Sequence, residues 1–82
     1  MTTLSDLSRG DRGVVSGFTD TASVYRAKLL SMGLTPGADI TVVRYAPMGD
    51  PIAIAVRGYR LSLRRQEAAV IEVRLSEQQE AV

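Results

Sequence analysis

The segment Pro51-Ile-Ala-Ile-Ala-Val-Arg-Gly-Tyr-Arg-Leu-Ser-Leu-Arg-Arg65 constrains this chain more than any other. Ile52, Ile54 and Val56 alternate with Ala53, Ala55 and Arg57; beyond Gly58, Tyr59, Leu61 and Leu63 alternate with Arg60, Ser62 and Arg64. Successive strand side chains point to opposite faces, so the spacing predicts a hairpin with its large apolar groups, Tyr59 included, on one face. Alanine, serine and arginine fall on the other. Gly58 can adopt the positive φ that a tight reversal needs. Arg-Gly suits a two-residue turn less well than Asn-Gly, so a three-residue turn with a glycine bulge is an equal expectation. A lone ribbon is marginal in water, and the rest of the chain must cover its apolar face.

The remaining segments read as that cover. Leu4 and Leu7, three residues apart, fit a short lead-in turn capped by Thr3, and Ser8-Arg-Gly-Asp11 is a turn cluster. Gly13–Phe18 reads as a strand whose glycines suggest bends or close backbone approach. Between Ala22 and Met32 the spacing predicts an α-helix, with Tyr25, Leu29 and Met32 on one stripe and Ala27, Leu30 and Leu34 near a second. Gly33 should end it in the left-handed conformation, placing Leu34 to pack back on Leu29. Thr35-Pro-Gly-Ala38 has the pattern of a type II turn. Asp39–Tyr45 follows as a strand with Ile40, Val42 and Arg44 on one face and Thr41, Val43 and Tyr45 on the other. The prolines and glycine of residues 46–51 make a loop. Arg64–Ala69 reads as one helical turn, Val70–Leu75 as a closing strand, and residues 76–82 as a polar tail ending in Ala81-Val82. The expectation is a single mostly-β domain over residues 1–75: a small, partly open barrel of about five strands with one main helix.

At 82 residues the chain is too short to divide into two cores. It has no cysteine and no histidine, so disulfides, thiolate ligands and imidazole ligands or bases are excluded. A net charge of +1 gives weak overall attraction to nucleic acid or anionic lipid. No run is long and apolar enough to span a membrane, and the N-terminus lacks a basic-then-apolar leader, which makes the cytoplasm the default compartment. The carboxylates Asp6, Asp11, Asp20, Asp39, Asp50, Glu67 and Glu72 are scattered, mostly through turns where a carboxylate accepts backbone hydrogen bonds. No glycine-rich phosphate loop appears, and no serine has a nameable base partner. We expect no enzyme activity, no cofactor and no metal site.

Two features invite a binding role. Arg57, Arg60 and Arg64 share or border the polar face of the hairpin. Such residues serve as a solvated face that discourages edge pairing, as a contact for a protein partner, or as part of a nucleic-acid barrel. The doubled apolar stripe of the helix is the other feature. Tyr25, Leu29, Leu30, Met32 and Leu34 are either core or, in part, an exposed docking patch bordered by Arg26.

The sequence also resembles the FeoA family. The resemblance lies in Leu29-Leu-Ser-Met-Gly-Leu-Thr-Pro-Gly37, Val43-Arg-Tyr-Ala-Pro-Met-Gly-Asp-Pro-Ile52, Val56-Arg-Gly-Tyr-Arg-Leu-Ser-Leu-Arg64 and Glu67-Ala-Ala-Val-Ile-Glu-Val73, and runs from about Leu4 to Val73. It implies an SH3-like barrel and a partner, FeoB, an inner-membrane ferrous-iron transporter with a cytoplasmic GTP-binding domain. In that picture the chain is an accessory protein, recruited to the membrane through its partner, that supports uptake without carrying iron. The family's partner surface corresponds here to Tyr25-Arg-Ala-Lys-Leu-Leu30, with Leu29 as the first choice. The same domain type forms the regulatory part of iron-responsive repressors, so a detached regulatory domain is the alternative, and a nucleic-acid-binding barrel a further one. Exposed strand edges of a small barrel also leave a homo-oligomer open as an expectation.

Overall fold

The computed structural model describes residues 2–76, with the backbone alone of residues 21 and 22. Five strands, β1 (Arg12–Phe18), β2 (Asp39–Tyr45), β3 (Ile52–Val56), β4 (Tyr59–Leu63) and β5 (Ile71–Leu75), form one antiparallel sheet in the order β4-β3-β2-β1-β5. Two short α-helices, α1 (Arg26–Ser31) and α2 (Arg65–Ala68), and 3-10 turns at Leu4–Asp6 and Asp20–Val24 complete it. The lead-in covers the outer edge of β5: Thr3 bridges Glu72, and the Val73 N–H donates to the Thr2 carbonyl at 2.9 Å. The expected partly open, mostly-β barrel is what forms. Residues 77–82, most of the expected tail, lie outside the described residues.

The central hairpin pairs Ile52 with Leu63, Ile54 with Leu61 and Val56 with Tyr59. Ile52, Ile54, Val56 and Leu63 are buried in the core with Val15, Leu34, Ile40 and Ile71. Each such side chain contributes about 1.5–3 kcal/mol by leaving water. The turn has two residues, Arg57 at φ 50° and Gly58 at φ 87°, which decides between the two expected geometries. Tyr59 departs from expectation. It is 46% exposed although it pairs with the buried Val56, because it lies beside the tip turn and reaches toward the end of α1. Its hydroxyl donates to the Met32 carbonyl.

Two bulges revise the strand faces. In β2, Val42 opposes Ile54 but Arg44 opposes Ala53, leaving Val43 as an extra residue. Strict alternation placed Arg44 with Ile40 and Val42; the bulge puts it on the outer face and turns Tyr45 toward the core, opposite Ile52. The half-buried Tyr45 phenol donates to the Leu7 carbonyl. Burial raises its pKa, with Asp11 and Asp6 adding to the rise and Arg65 opposing it. A second shift, between Val15 and Gly17, bends β1 against β5. Gly13 meets the expected close approach: a Cβ there would stand 3.0 Å from the Arg74 carbonyl oxygen.

The helix is shorter than the span Ala22–Met32 predicted from the apolar stripes. It begins at Arg26, after the 3-10 turn Asp20–Val24. Hydroxyl, carboxylate and β-branched side chains from Thr19 to Val24 favour local backbone competition over helix propagation. Its end is as expected. Gly33 sits at φ 93°, its N–H donates to the Leu30 carbonyl at 3.0 Å, and the Leu34 N–H donates to the Leu29 carbonyl at 3.1 Å. The Thr35–Ala38 turn closes through the Ala38 N–H and Thr35 carbonyl at 3.0 Å, with Gly37 at φ 95°.

Gly33 combines a left-handed backbone with crowding, since an added Cβ would lie 2.5 Å from the Tyr59 hydroxyl. Gly33→Ala should therefore lower unfolding stability by about 1–3 kcal/mol. Urea denaturation should show an earlier midpoint with cooperativity retained; an unchanged midpoint would refute the tight helix end.

Candidate functional site

The docking residues expected from the helix separate into two groups. Leu29 and Leu34 are fully buried core residues. They are corrected from contact residues to the anchors that seat α1, because the helix end folds their side chains into the barrel. Tyr25, Leu30 and Met32 are half-buried, and Arg26 is exposed with its guanidinium 5.7 Å from the centre of the Phe18 ring, a cation–π contact. Val24, which the apolar periodicity did not single out, is 82% exposed just before the helix. Its exposure follows from the 3-10 turn, which takes it off the helical stripe. The accessible apolar surface of this element thus centres on Val24 and the outer parts of Tyr25, Leu30 and Met32, beside the exposed Arg26, Ala27, Lys28 and Ser31.

A hairpin tip holds the other end of α1. Besides the Tyr59 hydroxyl on the Met32 carbonyl, the Arg57 Nε donates to the Gly33 carbonyl at 3.0 Å and its Nη2 to the Thr35 hydroxyl. Carbonyls at a helix end have no partner within the helix, and these two side chains satisfy them across the fold. Arg57 was expected on an open basic face; although exposed, it is committed to this clasp.

Arg64 is also engaged. Its guanidinium stands 4.0 Å from the Asp50 carboxylate, and the same carboxylate accepts the Arg65 N–H at 3.1 Å. The Arg60 side chain has no ion pair or hydrogen bond among the described residues. It shares a groove with Arg9 and Arg44, neither of which sequence reading grouped with it.

Among the described residues the buried charged one is Glu67, 5% exposed, in α2. One carboxylate oxygen accepts from Lys28 Nζ of α1 at 2.7 Å, the other from the Arg64 N–H at 2.8 Å. The second bond is a helix-start contact with Glu at the third helical position, and that spacing was present in the sequence as Arg64-x-x-Glu67. Nothing local announced Lys28, 39 residues away. Among the described residues no three His, Cys, Asp or Glu side chains group as a metal site would, and no described helix is long and apolar enough to cross a membrane.

Comparison with known proteins gives a consistent result. The family described as FeoA domain matches residues 2–75. A curated relative from Porphyromonas gingivalis, an Fe(2+) transport protein A/Fe(2+) transporter FeoB fusion protein, is 43% identical over 72 residues, 88% of this chain. The chain spans only 8% of that relative's length. The NMR structure of an FeoA-like protein from Clostridium acetobutylicum superimposes with a TM-score of 0.84 at 38% identity, covering 95% of this chain and 93% of that one. FeoA of Stenotrophomonas maltophilia, solved with zinc and described as a prokaryotic SH3 domain protein, gives a TM-score of 0.78 at 27% identity, with 90% and 91% covered. The expected SH3-like class is thereby confirmed.

Burial pushes the Glu67 carboxyl up, but the Lys28 ammonium and the Arg64 N–H together outweigh it and hold the pKa below the ordinary glutamate value. A depressed folded-state pKa gives stability that is fully present above the unfolded value, about 4.3, and is lost as pH falls through the folded value. Glu67→Gln should lower stability near neutral pH by about 1.5–3 kcal/mol and flatten the acid limb of a plot of urea midpoint against pH. An acid limb as steep as wild type would remove this pair as its source.

Proposed function

The chain belongs to the FeoA family, and on that premise we propose that it is an accessory protein of ferrous-iron uptake that docks on a FeoB-type transporter. The observation that carries this reading is the fusion relative, in which a segment 43% identical to this chain shares one polypeptide with FeoB. Covalent linkage keeps two modules at high effective concentration, which is useful where they work in contact. In this reading the protein contributes a surface rather than a reaction, carries no iron, and reaches the membrane through its partner.

The surface we assign is the α1 region: Val24 and Arg26, with the outer parts of Tyr25, Leu30 and Met32. An exposed valine beside half-buried tyrosine, leucine and methionine has the mixed apolar character of a contact centre, and Arg26 supplies a polar rim. Leu29 and Leu34 act beneath it by fixing the helix to the barrel.

The test is binding to detergent-solubilised FeoB from the same organism, with and without guanine nucleotide. Val24→Asp places a charge on an exposed site and should leave unfolding unchanged while weakening binding tenfold or more, about 1.4 kcal/mol. Leu29→Asp should instead abolish cooperative unfolding, since it buries a charge with no partner. Saturable wild-type binding reduced in Val24→Asp supports the proposal. Wild-type-strength binding by Val24→Asp would move the contact off α1, and no binding by wild type would defeat the adaptor reading.

A further inference from the structure

The outer face of the sheet carries a second candidate surface, remote in sequence from α1. Residues paired across antiparallel strands share a face, so the pairs Arg44–Ala53 and Ala53–Ser62 set these three side chains in one row. The pairs Thr41–Ala55 and Ala55–Arg60 set the next. The Val43 bulge decides this arrangement, because without it Arg44 would face the core. Arg9 joins from the turn before β1, held there by the Gly10 N–H on the Val42 carbonyl at 2.8 Å.

The three arginines wall a groove of about 540 Å³ over Ala53 and Ser62. None of the Arg9, Arg44 and Arg60 side chains has an ion pair or hydrogen bond among the described residues. The neighbouring arginines are committed: Arg57 to the helix end and Arg64 near Asp50. The groove continues past Arg44, Ala53 and Ser62 into a second of about 360 Å³ lined by Tyr45, Pro47 and Pro51. One end is therefore cationic and uncompensated, and the other adds the apolar surfaces of Ala46, Pro47 and Pro51, along a single open track.

We propose that this groove binds an extended acidic peptide segment of a protein partner, its carboxylates on Arg9, Arg44 and Arg60 and apolar side chains toward Pro47 and Pro51. Charge complementarity selects an anion, and guanidinium groups suit carboxylates through paired hydrogen bonds. The apolar continuation selects a peptide over an isolated phosphate. Single-stranded nucleic acid would want free aromatic platforms along the groove, whereas the Tyr45 phenol is tied to Leu7, the Tyr59 phenol to Met32, Phe18 lies under Arg26, and Tyr25 does not line the groove. The inference is independent of the transporter reading and of the α1 surface.

The probe is a short capped peptide alternating glutamate and leucine, titrated into the 82-residue chain at low salt and followed by NMR. The expected result is saturable shifts at the Nε–Hε signals of Arg9, Arg44 and Arg60 and at the amides of Ala53 and Ser62, weakening as salt rises. Arg44→Gln/Arg60→Gln should weaken binding about tenfold, while Val24→Asp leaves it unchanged. Arg9→Gln, on a turn outside the sheet, provides the same test should the double variant lose its fold. The proposal is overturned by shifts confined to α1, by equal affinity for the glutamine version of the peptide, or by undiminished binding in the arginine variants. Tighter binding of an oligonucleotide, or shifts reproduced by inorganic phosphate alone, would also reject it.

Discussion

A helix of six residues has no stability of its own, and what holds α1 in place comes from outside it. Leu29 and Leu34 anchor it from below, Arg26 rests over Phe18 at its start, and Arg57 and Tyr59 satisfy carbonyls at its end. The Lys28–Glu67 pair ties it to α2. The Lys28 member is well exposed, so solvent screening discounts the Coulombic part, and the larger cost lies in leaving one oxygen of the buried Glu67 carboxylate without its donor. The segment offered to a partner is thus a local element made rigid by the barrel.

The geometry of the hairpin tip bears on the same element. Arg57 adopts φ 50°, a conformation unfavourable for a residue with a side chain. Its guanidinium reaches Gly33 and Thr35 from that position, which offsets the backbone cost by contacts made elsewhere. Gly33 leaves room for Tyr59 at the place where both meet the helix end. Turn, glycine and helix terminus form one arrangement drawn from three separate parts of the chain.

What could be read from the sequence was what local chemistry decides. Alternation from Ile52 to Leu63 marked the hairpin, Pro36-Gly37 marked a type II turn, and Gly33 marked the helix end together with the return of Leu34. Whatever depended on register or distance was hidden. A bulge has no residue code of its own in Val42-Val43-Arg44, yet it reverses the faces of Arg44 and Tyr45. Lys28 and Glu67 meet only because the barrel brings two short helices together. On the helix, periodicity correctly found apolar residues but could not rank them by depth. Leu29, the foremost docking candidate by pattern, proved to be core, and Val24, off the stripe, proved to be the most exposed of that region's large apolar residues.

The clasp of Arg57 and Tyr59 on Met32 and Gly33 also couples motions. Opening the last turn of α1 would cost the hairpin tip its contacts, and fraying the tip would expose the helix carbonyls. The two segments should therefore behave as one cooperative opening unit in native-state hydrogen exchange. A ligand on the α1 surface would slow exchange in the β3–β4 turn without touching it. Occupancy of one face would thus be legible as protection at another, through shared local unfolding and no change of shape.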